Sequence, residues 1–188
     1  MKTLTTERLT LRSWTSDDAD FVFDMYSRWD VQRYIGGSNA RIMELHAEAV
    51  ERIERWQHLD HPIHGIWAVQ RTSDGQLLGT LLLKPIPASG EVPPQPSGET
   101  EIGWHFHPDA WRYGYATEAA AEVLRHGLAA GLGTIVAVTA PENVASQNVC
   151  KRIGMEHQGT TVKYYNETCE LFLIASEAHG TSPAAPGA

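Results

Sequence analysis

The stretch Trp111-Arg112-Tyr113-Gly114-Tyr115-Ala116-Thr117-Glu118 decides the fold prediction, because it joins an apolar strand to a strongly helical run from Ala119 to Ala130. A glycine-containing turn at a helix N-terminus leaves several backbone N–H groups unpaired and pointing one way. Together with the positive end of the helix dipole, these groups bind phosphate oxygens. Gly114 lets the backbone come close to a ligand, and Arg112 adds a cation that can bind a phosphate through two hydrogen bonds. The stretch therefore predicts a pyrophosphate-binding turn, with an ordinary strand-to-helix turn as the alternative.

The strand before this turn carries two carboxylates on one side. Strand side chains alternate between two faces. One face holds Thr100, Ile102, Trp104 and Phe106, and the other holds Glu99, Glu101, Gly103 and His105. We expect the first set to pack in the core. The acids then lie beside the predicted phosphate site, where a carboxylate can transfer protons, although a solvated face of a half-exposed strand fits the same pattern.

The rest of the chain predicts a single domain, residues 1–176. The expected elements are a strand from Leu4 to Leu11, a helix from Ala19 to Ser27, a loop from Trp29 to Gly37, a helix from Asn39 to Trp56, a hairpin of Ile66–Arg71 and Leu77–Ile86, a buried strand from Thr134 to Thr139, a short helix ending at Ile153, and final strands Met155–Val162 and Cys169–Ala175. Pro87 to Gly98 is expected to be a long loop, because prolines do not fit a sheet interior. The Gly-, Ser-, Pro- and Ala-containing tail, residues 177–188, is expected to be disordered.

Composition restricts the classes of partner. The chain has 188 residues and a formal net charge of −8 at pH 7. This charge argues against nucleic acid and favours a cationic acceptor, unless the acids serve solubility alone. No apolar run reaches membrane-spanning length and the N-terminus lacks the apolar core of a signal peptide, so we expect a cytoplasmic protein without a membrane partner. Cys150 and Cys169 lack a metal or redox spacing, which fits a reducing compartment.

Three histidines, His58, His61 and His64, recur every third residue. Zinc requires ligands that converge, usually with a carboxylate or thiolate among them. Pro62 breaks the preceding helix and separates the three side chains. We therefore expect no metal site.

The order of the elements resembles the GNAT acyl-CoA-dependent N-acyltransferase superfamily over nearly the whole chain, from Leu4 to Ala175. Three stretches carry the resemblance, and they are similar to the ribosomal-protein N-terminal acetyltransferase (RimJ/RimL-like) branch: Thr6-Glu7-Arg8-Leu9-Thr10-Leu11-Arg12, the run from Glu101-Ile102-Gly103-Trp104 through Trp111-x-x-Gly114-Tyr115-Ala116-Thr117-Glu118-Ala119, and Asn143-x-x-Ser146 followed by Lys151-Arg152-Ile153-Gly154-Met155. The chain departs from the superfamily in having Trp111 at the first position of the pyrophosphate loop and Met155 in place of phenylalanine. It also has Cys150 where many relatives carry a general-acid tyrosine.

The resemblance implies an α/β (α+β) fold. The expected domain has a mixed, mostly antiparallel twisted sheet of about seven strands and about four helices, with a splay between the fourth and fifth strands. Acetyl-CoA is the implied cosubstrate, without a metal. The implied binding residues are Trp111, Arg112, Tyr113, Gly114, Tyr115, Ala116 and Thr117 for the pyrophosphate, Ile102, Gly103 and Trp104 for the pantetheine amides and the thioester carbonyl, and Asn143 and Ser146 on the opposite side of the pantetheine arm.

The resemblance also implies direct transfer to a primary amine in a ternary complex, without an acyl-enzyme. An α-amine has a pKa of about 8, so most of it is protonated at neutral pH and a carboxylate must take its proton. Glu101 is the predicted base, with Glu99 second. Ser146 is the predicted proton donor to the departing thiolate, unless it only caps a helix. Cys150 lies inside an apolar helix and is not expected to act as a nucleophile.

Several alternatives remain open at this stage. The acceptor is either a protein N-terminus or a small cationic amine, and succinyl-CoA fits the same scaffold as a donor. A non-catalytic acyl-CoA sensor would use Glu101 and Ser146 only structurally. A dinucleotide-binding fold is disfavoured, because the turn has few glycines and the next strand ends in Thr139 rather than an acid. Both a monomer and a homodimer are compatible with the sequence.

Overall fold

In the structure, a computed structural model that describes residues 1–59, 61–91, 93 and 95–176, the chain folds around one eight-stranded sheet. The strands are β1 (Leu4–Thr5), β2 (Leu9–Arg12), β3 (Gly65–Arg71), β4 (Leu77–Pro87), β5 (Pro96–Phe106), β6 (Thr134–Thr139), β7 (Glu156–Thr161) and β8 (Cys169–Ala175), in the spatial order β1-β2-β3-β4-β5-β6-β8-β7. The helices are α1 (Ala19–Tyr26), α2 (Trp29–Gln32), α3 (His46–Gln57), α4 (Tyr115–Ala129) and α5 (Val144–Arg152). Among the described residues, no helix has the length and apolar character needed to span a membrane. The tail predicted to be disordered, residues 177–188, lies outside the described residues.

The sheet opens on one side of β5. Neighbouring strands pair antiparallel except β5 and β6, which run parallel. Their pairing is limited to Thr100 with Ile135 and Glu101 with Val136, so the strands splay apart beyond Glu101. The predicted mixed sheet and its splay are confirmed. The sheet has one strand more than expected because the predicted first strand is the pair β1–β2.

Apolar side chains fill both faces of the sheet. The larger core lies under α4, whose buried residues are spaced along one helical face: Ala119, Ala120, Val123 and Leu124. Ile102 and Phe106 belong to this core and Trp104 packs against it, which confirms the predicted core face of β5. A Cβ at Gly127 would lie 2.9 Å from Ile135 Cδ1, so the glycine lets α4 approach the sheet. A second core lies under α1 and α3 on the other face.

The second long helix begins later than the spacing predicts. Ile42 and Leu45 continue the apolar spacing, but α3 starts at His46 and both side chains are exposed. Glu48 sets this boundary, because its Oε1 accepts hydrogen bonds from the N–H groups of Glu44 and Leu45, at 3.1 Å each. The prediction of a helix from Asn39 was therefore wrong. The predicted loop after Trp29 also contains the short helix α2.

The proline-rich loop is shorter than predicted. β4 continues through Pro85 and Pro87, and β5 begins at Pro96, opposite Pro87. Hydrogen-bonded and non-bonded pairs alternate along an antiparallel ladder. The His107 N–H donates to the Leu78 carbonyl at 2.9 Å, so these two residues form a hydrogen-bonded pair of the ladder. Alternation from this pair along β4 places Pro85 in a non-bonded pair with β5, where the ladder requires no N–H. The predicted loop boundaries at Pro87 and Gly98 were therefore wrong.

Candidate active site

The predicted phosphate turn has free backbone N–H groups. Gly114 is the N-cap of the 15-residue helix α4 and has a left-handed conformation with φ of +82°. None of the side chains that the structure describes caps this helix. Within the described part of the chain, the N–H groups of Tyr115, Ala116 and Thr117 have no acceptor. Arg112, beside them in the turn, is exposed. The structure therefore places the predicted turn residues at an open helix N-terminus, which is suited to an anion.

Arg8 supports this turn, a role that the sequence did not indicate. Its guanidinium forms an ion pair with Glu118 at 2.6 Å and donates a hydrogen bond to the carbonyl of Tyr113 at 3.1 Å. It also lies over the ring of Tyr115, 4.7 Å from the centroid. Burial raises the pKa of Glu118, but hydrogen bonds from Thr6 and Arg8 outweigh burial and lower this pKa. The carboxylate in the first turn of α4 is thus already paired.

The edge of β5 that faces the splay carries free backbone groups. The His107 N–H donates to the Leu78 carbonyl on β4, and hydrogen-bonded pairs alternate with non-bonded pairs along the two strands from this point. Ile102 and Trp104 fall in non-bonded pairs, so their backbone N–H and C=O groups point away from β4 and toward β6. β6 does not pair with β5 beyond Glu101, so these groups open into the gap. An extended ligand with amide groups can bind such an edge as an added strand does.

Two further predicted binding residues have other roles in the structure. The same alternation directs the backbone groups of Gly103 to β4. A Cβ at Gly103 would lie 3.1 Å from Leu82 Cδ1. Glycine at this position therefore leaves room for Leu82 on the face of the sheet opposite α4. The indole N–H of Trp111 donates to the Phe106 carbonyl at 2.8 Å and holds the turn to the end of β5.

Glu101 lies in a buried polar network on the face of β5 opposite α4. The residue is 6% exposed, and its Oε1 pairs with Lys84 Nζ at 2.6 Å and accepts a hydrogen bond from the Tyr165 hydroxyl. Burial and the neighbouring Glu101 charge raise the pKa of Tyr165, which keeps the phenol protonated. Oε2 of Glu101 has no partner among the described residues. An ionised carboxylate can accept about four hydrogen bonds, so Glu101 retains an oxygen for an amine.

Glu99 lies on the same face, as predicted, but its side chain is 36% exposed. Its Oε2 accepts a hydrogen bond from the Tyr164 hydroxyl at 2.6 Å and lies 3.5 Å from Lys163 Nζ. Two consecutive tyrosines therefore reach the two acids. Tyr165 has a φ of +60°, which is uncommon for a bulky residue, at the position from which its hydroxyl reaches Glu101.

Three loops meet beside these acids. Asn166 N–H donates to Ser89 Oγ at 2.9 Å, and Gly90 N–H donates to Asn166 Oδ1 at 2.7 Å. The Ser38 N–H donates to Glu167 Oε1 at 2.6 Å. The turn between β7 and β8 is thereby attached both to the proline-rich loop and to the segment between α2 and α3.

A cavity of about 210 Å³ lies on this face of the sheet, under α1 and α3. Its lining residues are Tyr26, Ile35, Arg52, Trp56, Ile66, Thr80, Leu82, Lys84 and His105. Lys84 is the residue opposite Glu101 on β4, so the cavity adjoins the buried acid. A larger cavity of about 320 Å³ lies between Met1, Trp14 and Leu59, and none of the described residues that line it has an ionisable side chain for proton transfer.

His105 is a neutral imidazole in the smaller cavity. Burial, followed by the charges of Arg52 and Lys84, lowers its pKa to about 3. The Tyr26 hydroxyl donates to Thr80 Oγ1 at 3.1 Å, and its oxygen lies 2.9 Å from His105 Nδ1. This network assigns the proton to Nδ1 and leaves Nε2 as an acceptor.

The pKa of His105 predicts acid sensitivity of the fold. The unfolded chain binds this proton below a pH of about 6.5, whereas the folded protein binds it only near pH 3, so stability falls as the pH drops between these values. From pH 7 to pH 5 the loss is about 2 kcal/mol. Denaturant unfolding of wild type and His105→Gln across this range measures it. The same change at exposed His58 serves as the control, and an unchanged pH dependence in His105→Gln would contradict the prediction.

Asn143, not Ser146, caps α5. Asn143 Oδ1 accepts a hydrogen bond from the Ser146 N–H at 3.2 Å. The partly exposed Ser146 hydroxyl makes no hydrogen bond to any residue that the structure describes. The alternative in which Ser146 acts only as a helix cap was therefore wrong. Cys150 is fully buried, and burial raises the pKa of its thiol to about 12, so it is not a reactive thiolate at neutral pH.

The three histidines are occupied by local contacts. The rings of His61 and His64 stack with centroids 4.2 Å apart, His64 Nε2 lies 3.1 Å from Thr100 Oγ1, and His58 Nδ1 lies 2.6 Å from the carbonyl of Glu54. In the described part of the chain, no group of three or more His, Cys, Asp or Glu side chains is arranged to hold a metal ion.

Sequence reasoning missed the residues that support the phosphate turn, contact the acids or line the cavity. These are Arg8, Tyr26, Arg52, Thr80, Lys84, Tyr164 and Tyr165, with His105 assigned only to a polar edge. One signal was present for Lys84, which is the only charged residue in the mostly apolar run from Leu77 to Ile86. Tyr26 and Arg52 carry no such signal, because they line the cavity only through the packing of α1 and α3 on the sheet.

Comparison with known proteins identifies the family. Residues 8–156 match the family model described as an acetyltransferase (GNAT) domain. The chain belongs to the GNAT acetyltransferase family. It is 32% identical to the uncharacterised N-acetyltransferase YoaA of Bacillus subtilis over 163 residues, which is 86% of each chain.

Solved structures agree on the GNAT fold. A GNAT-family acetyltransferase from Bacillus anthracis superposes with a TM-score of 0.75 at 25% identity, covering 93% of this chain and 98% of the other. RimL, a ribosomal L7/L12 α-N-protein acetyltransferase solved in complex with coenzyme A, gives a TM-score of 0.74 at 12% identity, with coverage of 93% and 98%, which shows a shared fold alone. Family membership supports acyl-CoA-dependent acetyl transfer to an amine by this GNAT protein.

Proposed function

We propose that this GNAT protein transfers an acetyl group from acetyl-CoA to a primary amine by direct attack in a ternary complex. One observation carries the proposal. The edge of β5 opens at Glu101, beside a helix N-terminus with free N–H groups, and the Glu101 side chain adjoins a cavity on the other face of the sheet. A donor in the gap and an amine in the cavity would then approach each other at β5.

The donor would use the free backbone groups. The turn from Arg112 to Thr117 would bind the pyrophosphate, and the edge groups of Ile102 and Trp104 would pair with the pantetheine amides and polarise the thioester carbonyl. A preorganised donor of this kind contributes about 3 kcal/mol to catalysis. The Asn143 side-chain N–H₂ would contact the pantetheine from the side of β6. The coenzyme A bound in the RimL structure supports this choice of donor.

Glu101 would take the proton from the amine, through Oε2 or a water molecule. Lys84 and Tyr165 hold Oε1 and so fix the carboxylate in place. Glu99 is the second candidate, and its exposure and contact with Lys163 make it the weaker one. Ser146 would give a proton to the departing thiolate. No acyl-enzyme is needed, since the thiol of Cys150 is buried and protonated.

Ser146→Ala is expected to lower kcat by about 10- to 100-fold, because a positioned proton donor is lost. The thermal stability should stay close to that of wild type, since Asn143 provides the cap. Asn143→Ala serves as the contrast and should lower the free energy of unfolding by about 1 kcal/mol. Steady-state kinetics together with thermal unfolding separate the two roles. Wild-type turnover in Ser146→Ala would exclude it as the proton donor.

The acceptor and the donor are tested together. Release of CoA thiol from acetyl-CoA and succinyl-CoA is measured against N-terminal peptides, polyamines, aminoglycosides and amino acids. We expect acetyl-CoA to be used with one class of amine. The three sequence stretches and the fold shared with RimL support a place in the RimJ/RimL-like branch. We also propose that the protein acts in the cytoplasm, as a monomer or homodimer, without a nucleic-acid or membrane partner. Turnover of a ribosomal-protein N-terminal peptide would be the sign of that branch.

A non-catalytic acyl-CoA sensor is the second candidate. It is favoured by the burial of Glu101, which already has partners in Lys84 and Tyr165 and would serve as a structural ion pair. A sensor would bind acetyl-CoA and release no thiol with any amine of the panel. Thiol release that depends on an amine excludes it.

A further inference from the structure

We infer that the acceptor amine carries a carboxylate and that Arg52 binds this group, which makes the acceptor an amino acid rather than a polyamine. The inference rests on the proposed function, because it assigns the 210 Å³ cavity to the acceptor. The juxtaposition that carries it is a guanidinium that has no acidic partner among the described residues, in the wall of a cavity that is also lined by Lys84, the ion-pair partner of Glu101.

Arg52 is a cation without a counter-ion inside the described structure. No Asp or Glu among the described residues lies within 4.0 Å of its guanidinium. The acid one helical turn before it, Glu48, is occupied by Arg41 at 2.7 Å and by the N–H groups at the start of α3. Glu51 and Glu54 are exposed on the outer side of the helix. The charge of Arg52 is therefore available to a ligand.

The position of Arg52 is fixed by an aromatic ring. Its guanidinium carbon lies over Tyr26, 4.3 Å from the ring centroid, and the Tyr26 hydroxyl is anchored by Thr80 and His105. The contact with Tyr26, which includes a hydrogen bond to its hydroxyl, holds the guanidinium in the cavity wall. The N–H groups of Arg52 that do not face Tyr26 can donate to a carboxylate in the fork geometry that matches it.

The remaining charges of the cavity oppose a purely cationic acceptor. Lys84 is paired with Glu101 and His105 is neutral, so the charge of Arg52 makes the net charge of the cavity lining positive. Burial contributes most to the lowered pKa of His105, and the charge of Arg52 contributes next. This local charge is opposite to the net charge of −8 of the whole chain. An amine with a carboxylate would place its anion at Arg52 and its amine toward Glu101.

The size of the cavity agrees with this class. Its volume of about 210 Å³ equals about seven water molecules and lies below the range of about 300 to 1,000 Å³ for drug-sized ligands. The walls formed by Ile35, Trp56, Ile66 and Leu82 are apolar and would contact the carbon body of the ligand.

Matched amines test the inference. α-, β- and γ-amino acids are compared with their own amides, in which only the anion is lost, as acceptors for wild type, Arg52→Gln and Arg52→Lys. We expect wild type to favour one carboxylate over its amide by about 10- to 100-fold in kcat/KM, and Arg52→Gln to lose this preference. Arg52→Lys keeps the positive charge but loses the paired N–H donors of the guanidinium, so its preference for the carboxylate should lie between those of wild type and Arg52→Gln. Arg55→Gln, an exposed arginine on the same helix, removes an equal charge and should behave as wild type.

A binding measurement separates this inference from the proposed function. Calorimetric titration of the same pairs, in the presence of CoA, needs no turnover. Binding of an amino acid to wild type that is lost in its amide and in Arg52→Gln supports the inference even if no thiol is released, in which case only the transfer proposal fails. Equal binding or turnover of acid and amide by wild type would overturn it, as would an unchanged preference in Arg52→Gln. So would a panel in which no amino acid binds.

Discussion

Glu101→Gln is expected to lower kcat by about 100- to 1,000-fold while acetyl-CoA binding is retained, because it removes a general base but leaves the donor site intact. The amide has nearly the shape of the carboxylate and can still accept a hydrogen bond from Tyr165. It cannot accept the amine proton. Steady-state kinetics with a saturating acceptor and calorimetric titration of acetyl-CoA measure the two effects separately.

Two controls distinguish catalysis from structure in this prediction. Glu99→Gln changes the neighbouring acid on the same face and should cost much less turnover, since Glu99 is partly exposed. Glu101→Gln leaves Lys84 without its counter-ion, which lowers stability. Combining Lys84→Met with Glu101→Gln removes both charges and should recover stability without recovering turnover. A larger loss in Glu99→Gln than in Glu101→Gln would transfer the role of base to Glu99.

Gly114→Val is expected to weaken acetyl-CoA binding by about 10- to 100-fold, equivalent to losing one hydrogen bond to a charged phosphate. Gly114 has a φ of +82°, which a β-branched residue hardly adopts. The turn must then relax, and the N–H groups of Tyr115 to Thr117 lose their common direction. The dissociation constant of acetyl-CoA, measured by calorimetry, reports the change.

Gly131→Val is the matched control. Gly131 follows α4, has a φ of +94°, and an added Cβ would meet nothing within 4 Å. The substitution should therefore lower stability through the same left-handed strain while acetyl-CoA affinity stays at the wild-type value. Equal donor affinity in Gly114→Val and wild type would show that the turn does not hold the donor.

The parts of the fold that local spacing determines were predictable from the sequence. Alternation in β5 placed Ile102, Trp104 and Phe106 in the core and Glu99 with Glu101 on the opposite face, because a period of two depends on neighbouring residues alone. The start of α3 was not predictable from spacing. Ile42 and Leu45 fit the apolar period, but the hydrogen bonds of Glu48 begin the helix after them.

The surroundings of the site depend on contacts between distant elements. Tyr26 on α1, Arg52 on α3 and His105 on β5 meet only because both helices pack on one face of the sheet. The Tyr165 hydroxyl reaches Glu101 because Tyr165 has a positive φ. No pattern in the sequence predicts this conformation for a residue other than glycine. The chemistry of the acceptor side was therefore accessible from the structure and not from the sequence.

The central claim, direct acetyl transfer across β5, is tested most directly by quantifying CoA thiol, acetylated amine and acetylated protein in one reaction. We expect equal amounts of thiol and acetylated amine, no thiol release without an amine, and no acetyl group on the protein at any time. Acetyl-CoA that binds without any amine-dependent release of thiol would exclude acetyl transfer, and an acetylated protein that forms before the product would exclude direct transfer.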